Sequence, residues 1–130
     1  IMRHVVKRNF LNNGASILTL SSVSSIKGLK SKEAYSASKA ALEAAVRSCA
    51  AELSDRNIRV NSIQKGWMTS DMNIDFIKDN RTLNSDSDLK KQLLGPIDPQ
   101  ELANLVSFLL SDKVKTITGT SILLDGGYTL

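Results

Sequence analysis

At 130 residues, with 42% hydrophobic and 23% charged side chains, the chain is long enough for one domain with a real core and too short for two. That balance excludes a disordered polar tract, and no apolar run approaches the roughly 18 residues a membrane span requires. The net charge of +4 comes from 17 Lys and Arg against 13 Asp and Glu, and its scatter reads as a solvated surface, not a nucleic-acid footprint. A single cysteine, Cys49, rules out an internal disulfide and fits a reducing, cytoplasmic setting.

The sequence opens with apolar residues at 1, 2, 5, 6 and 10, the pattern of an amphipathic helix already under way, without a cap before it or the shape of a signal peptide. His4, beside Arg3 and Lys7, reads as a surface helical histidine, since no second metal ligand stands at a suitable spacing. Asn12-Asn13-Gly14 should end this helix, with Gly14 in the left-handed conformation.

Residues 15–21, Ala-Ser-Ile-Leu-Thr-Leu-Ser, form a short apolar run between a glycine and a serine cluster, as expected of a strand in a parallel sheet. The serine-rich loop after it, with Ser22, then lies at the carboxyl end of a strand, where ligands bind in open α/β sheets.

A long alanine-rich helix is expected over 31–54, with Ser31 as N-cap and Asn57 as its stop. One face carries Tyr35, Lys39, Leu42, Val46, Cys49 and Leu53 and should pack on the sheet, with Cys49 as a small buried hydrophobe. A second face, Ala37, Ala41, Ala44, Ser48 and Ala51, is all small; it suits a subunit contact or close packing within the monomer equally well. Glu43 with Arg47 and Glu52 with Arg56 are favourable four-residue pairs, worth a few tenths of a kcal/mol each.

Tyr35-Ser36-Ala37-Ser38-Lys39 opens that helix, and residues four apart stack on one helical face. The lysine ammonium is then held near the phenol. A unit charge about 5 Å away, at an effective dielectric near 20, stabilises a phenolate by about 3 kcal/mol, the size of effect needed for proton exchange near neutrality.

Residues 58–63, Ile-Arg-Val-Asn-Ser-Ile, read as a second strand, so strand, helix and strand form a right-handed crossover with both strands parallel. The following Gln64-Lys65-Gly66-Trp67-Met68-Thr69-Ser70 should therefore lie near Ser22 and Tyr35. The polar stretch from 71 to 95 is expected to form a lid of two short helices, with a surface hairpin as the alternative. Asp98-Pro99-Gln100-Glu101 is a helix start with a capping aspartate and proline at the first position, for a helix that runs to about Ser111 and buries Leu102, Val106 and Leu109 or Leu110. Residues 119–127 should give a third short strand ending in the turn Gly126-Gly127.

Taken together, Ser22 thirteen positions before Tyr35, the segment Tyr35-Ser36-Ala37-Ser38-Lys39-Ala40-Ala41-Leu42, residues 58–63, Gly66 with Ser70 and Asp71-Met72, and Leu124-Asp125-Gly126-Gly127 resemble the C-terminal half of the short-chain dehydrogenase/reductase family. The nearest branch is the one that includes the 3-oxoacyl-(acyl carrier protein) reductases. The resemblance implies an α/β fold: the C-terminal part of a doubly wound, Rossmann-like parallel sheet, with three strands and flanking helices in one partial domain over 1–130. It implies hydride transfer between NADP or NAD and a small carbonyl or alcohol. In it Tyr35 is the general acid/base, Lys39 assists Tyr35 and holds the nicotinamide ribose, and Ser22 hydrogen-bonds the carbonyl. Gly66, Trp67, Met68 and Ser70 are the further cofactor contacts. It also implies a homodimer or homotetramer through the 31–54 helix.

Lys65 stands where the family usually has proline, and is expected to tune cofactor or substrate affinity. The family's glycine-rich phosphate loop, the residue that selects NAD or NADP and an additional catalytic asparagine would all precede Ile1. The 130 residues are therefore expected to be inert alone, with the first strand left as an open edge. The competing expectation is a catalytically silent fragment that acts only in binding or assembly.

Overall fold

The computed structural model describes residues 10–71, 74–75 and 89–130. Three strands, β1 (Ser16–Ser22), β2 (Arg59–Lys65) and β3 (Ser121–Leu124), form a wholly parallel sheet in the order β1-β2-β3. Helix α1 (Glu33–Leu53) connects β1 to β2, and α2 (Pro99–Leu110) precedes β3. The expected N-terminal helix and His4 lie outside the described residues, as does most of the expected 71–95 lid. Of that lid, residues 89–95 form turns, with Leu89 and Gln92 buried.

Successive side chains of a strand point to opposite faces, and β2 uses both. Val60 joins Val46, Ala50, Leu53 and Ile58 in a core under α1, while Ile63 joins Ile97, Leu102 and Leu109 under α2. Burying each of these large aliphatic side chains is worth about 1.5 to 3 kcal/mol. Cys49, expected to be buried, is only half-buried at the margin of the first cluster; burial, with the charge of Glu52, still pushes its thiol above the ordinary value.

The start of α2 follows the sequence reading, with the Asp98 carboxylate accepting from the Gln100 N–H at 2.7 Å. Leu102 and Leu109 are buried, but Val106 is only half-buried and Leu110 is exposed. The start of α1 differs. Ser31 is left-handed, at φ 57°, and the helix begins at Glu33 after Lys32, without a side-chain cap. Its end is as expected, for after a short 3-10 turn over Ser54–Arg56 the chain reverses at a left-handed Asn57. Both longer strands also outrun their apolar runs. Gln64 and Lys65 extend β2 because they pair with Ser21 and Ser22 on one side and with Leu123 and Leu124 on the other.

Of the two expected helical pairs, Glu52 with Arg56 is replaced, whereas Glu43 keeps the favourable charge of Arg47 but turns inward. Arg56 donates to the Asn13 side chain and the Leu11 carbonyl instead of pairing with Glu52. Glu43 is only 4% exposed and points into the sheet, where its Oε2 accepts from Ser62 at 2.6 Å and from Ser121. Burial alone would push this carboxyl up. The hydroxyls of Ser121, Ser21 and Ser62, with the charge of Arg47, outweigh it and hold the group below the ordinary glutamate value.

A carboxyl lowered on folding stabilises the fold above its unfolded value, 4.5, and that stabilisation is lost as pH falls through the lower folded value. Glu43→Ala strands buried hydroxyls, and at neutral pH it should cost about 2 to 3 kcal/mol. In thermal melts, the gap between wild type and variant should narrow as the pH is taken below 4.5.

Candidate active site at the carboxyl edge of the sheet

Strand β1 ends at Ser22, where the chain enters a 3-10 turn over Val23–Ser25. The Ser22 hydroxyl caps this turn by accepting from the Ser24 N–H at 3.2 Å, which leaves its own proton to donate. Ser25 donates to the Ser22 carbonyl at 2.7 Å and accepts from Gln64 at 2.9 Å, so the ends of β1 and β2 are tied side by side.

Tyr35 sits in the first turn of α1 and is 46% exposed, so solvent screens charges around its phenol in this chain. One turn later, Lys39 Nζ lies 5.6 Å from the Tyr35 ring centroid and donates to the Leu20 carbonyl at 3.1 Å. The strand thus fixes the ammonium, and the ammonium sits beside the phenol.

Ser22 and Tyr35 line one cavity of about 400 Å³ together with Lys65, Gly66, Trp67 and Met68. Lys39 stays outside the lining and meets the site through Tyr35, and Ser70 lies beyond it. The structure therefore unites the predicted residues apart from Ser70.

Gly66 is required by space. An added Cβ would fall on Gln92 Oε1 and within 3.0 Å of the Asp125 backbone, while the Gly66 N–H donates to Leu124 at 2.9 Å. Gln92, 2% exposed, clamps the next residue: its Oε1 accepts from the Trp67 N–H at 2.8 Å, and its Nε2 donates to the carbonyls of Trp67 at 2.9 Å and Gly95 at 2.6 Å. The main chain of Trp67 is thereby engaged, and what it offers the cavity is its ring.

The last wall of the cavity comes from Tyr128, 1% exposed, delivered by left-handed Gly126 and Gly127. Lys27 Nζ stands 4.4 Å from its ring centroid and donates to its carbonyl. Asp125 holds the turn by accepting from the Gly127 N–H at 3.0 Å and from the Thr129 N–H and hydroxyl at 2.9 and 2.7 Å. Burial acts to raise this carboxyl, but the Thr129 hydroxyl, the two amides and the charge of Lys27 hold it below the usual aspartate value. Gln92, Lys27, Lys32 and Tyr128 are among the site residues that sequence reasoning missed. The turn at Gly126-Gly127 was a signal for Tyr128; Gln92, inside a polar stretch, had none.

Comparison with known proteins agrees with this architecture. The family model described as enoyl-(acyl carrier protein) reductase matches residues 1–129. L-xylulose reductase of Caenorhabditis elegans is 38% identical over 99% of this chain and 52% of its own length. A 3-oxoacyl-[acyl-carrier-protein] reductase of Staphylococcus aureus is 38% identical over 85% of the chain and 44% of its own. Among solved structures, a short chain dehydrogenase family protein from Francisella tularensis superposes with a TM-score of 0.80 at 37% identity, over 93% of this chain and 53% of that one. The chain belongs to the short-chain dehydrogenase/reductase family, and spans about half the length of the curated relatives it matches.

Trp67 is the sole tryptophan and reports on its own clamp. Gln92→Leu removes the hydrogen bonds to the Trp67 N–H and to the Trp67 and Gly95 carbonyls, of which the Trp67 carbonyl keeps the one from Ile97, so it should destabilise the protein by about 2 kcal/mol. It should also make Trp67 fluorescence more accessible to acrylamide than in wild type.

Proposed function

We propose that these residues supply the catalytic half of a cytoplasmic NAD(P)-dependent oxidoreductase that interconverts a small carbonyl and its alcohol. The observation that carries this reading is the single cavity shared by the Ser22 hydroxyl and the Tyr35 phenol, with Lys39 anchored on Leu20 behind the phenol.

The cavity fits a nicotinamide on its chemistry. An indole and a thioether, from Trp67 and Met68, offer apolar surface for a flat ring, and Gly66 permits close backbone approach. When bound, NADH or NADPH supplies the hydride, and the oxidised form accepts it in the reverse direction. Ser70, outside the cavity lining, is assigned to the cofactor on family resemblance alone.

In the reducing direction, the Ser22 hydroxyl donates a hydrogen bond to the carbonyl oxygen and orients it. Tyr35 gives its phenolic proton to that oxygen as it gains negative charge, leaving a tyrosinate that solvent reprotonates. The Lys39 ammonium, held by the Leu20 carbonyl, stabilises that tyrosinate. In the oxidising direction the same phenolate takes the alcohol proton.

Family relatives are about twice as long, and the remaining half is assigned to the open side of β1. That side presents exposed Leu20 and an apolar groove with Leu18, Val106 and Leu110. The small residues Ala37, Ala41, Ala44, Ser48 and Ala51 of α1 are all exposed, which favours a homodimer or homotetramer contact over packing within the monomer. The same exposed face would serve the alternative, an inert module that acts only in assembly. The two readings part on activity.

In the intact protein, NAD(P)H oxidation with a carbonyl panel should give turnover that falls about 10²- to 10⁴-fold in Tyr35→Phe. Turnover undiminished in that variant would remove Tyr35 from the mechanism, and no turnover with any carbonyl would favour the inert module. The isolated 130-residue chain should be inactive.

A further inference from the structure

Two lysines line the cavity, and two more stand against its tyrosines, Lys27 at Tyr128 and Lys39 at Tyr35. Lys39 is engaged by the Leu20 carbonyl, and Lys27 by the Tyr128 carbonyl and ring. Lys32 and Lys65 line the cavity itself, and neither side chain has a hydrogen bond or ion pair among the described residues. Among the described residues, no aspartate or glutamate lines the cavity to balance them. Both stand close to the reacting groups. Lys65 is the register partner of Ser22, and Lys32 precedes Tyr35 by three residues at the foot of α1.

Two cations that line one largely apolar cavity favour an anion within it over a neutral molecule. Beside the surface that Trp67 and Met68 offer the nicotinamide, the lining includes Val23 and Leu29, which suits a short hydrocarbon body. Resting on the oxidoreductase reading, we propose that the substrate is a small carbonyl compound with an anionic group, a carboxylate or a phosphate, which Lys32 and Lys65 hold while its carbonyl meets Ser22 and Tyr35. Lys65 then acts on the substrate, and the position where the family usually has proline becomes a determinant of specificity.

The test uses the intact protein and matched probes: 4-oxopentanoate against its methyl ester, and dihydroxyacetone phosphate against dihydroxyacetone. At low salt, kcat/KM should favour the charged member of at least one pair by about tenfold or more, and the pair that responds tells carboxylate from phosphate. Lys32→Gln and Lys65→Gln should each lower that charged-to-uncharged ratio several-fold, and added salt should lower it in wild type. A ratio near one in both pairs overturns the proposal. So does a rise in the KM for NAD(P)H with the ratio unchanged, which would give the lysines to the cofactor phosphates. Calorimetric binding of the same probes to Tyr35→Phe protein reads the charge preference without turnover, and equal or absent binding of charged and uncharged probes there also overturns it. Undiminished turnover in Tyr35→Phe, by contrast, would strike the catalytic reading while the binding ratio still decided this one.

Discussion

The parallel pairing of β1 with β2, spanned by α1, is the constraint on which the rest of the structure depends. Parallel strands end on the same edge, so Ser22 and Lys65 become neighbours although 43 positions separate them in the chain. The crossover helix must return across the sheet, and its first turn therefore rises beside that edge with Tyr35 on it. The bond from Lys39 to Leu20 closes the arrangement, because it joins the helix to the strand two residues before Ser22. Pairing of β2 with β3 then brings the turn after Leu124, and with it Tyr128, to the same place.

Polar groups in the interior set how accurately this edge is built. β2 is buried along almost its whole length, yet it carries Asn61, Ser62 and Gln64, and each has a defined partner. Asn61 donates to the Ile117 carbonyl at 2.8 Å and accepts from the Thr120 N–H at 3.2 Å, which fixes the approach to β3. Ser62 meets Glu43, and Gln64 meets Ser25. An apolar core alone would tolerate small sliding of a helix on a sheet. A buried hydrogen-bonded group does not, since losing its partner costs the full desolvation of the group. Gln92 acts the same way on the loop at 66–68, with three hydrogen bonds from one amide.

What could be read from the sequence follows the range of the forces involved. Local signals were legible: the Asp98-Pro99 start of α2, the left-handed Asn57, the Tyr35 to Lys39 spacing and the two apolar strand cores. Contacts that depend on distant chain segments were not. Glu43 has a plausible helical partner in Arg47, and only the serines of β2 and β3 reveal why it turns inward. Ser31 has the chemistry of a cap, but the chain takes it into a left-handed turn and the helix starts two residues later. Strand ends were missed for the same reason, because hydrogen bonding to both neighbours carries polar Gln64 and Lys65 into β2.

The cavity divides its labour between two kinds of backbone. Ser22, Tyr35 and Lys39 stand on a strand end and a helix, whereas Leu29, Trp67, Met68 and Tyr128 come from connecting segments. Regular elements fix positions through ladders of main-chain bonds that no single side chain controls, while connecting segments accept changes of residue more readily. Changes of residue in these walls can thus alter the shape of the cavity while Ser22, Tyr35 and Lys39 stay in register.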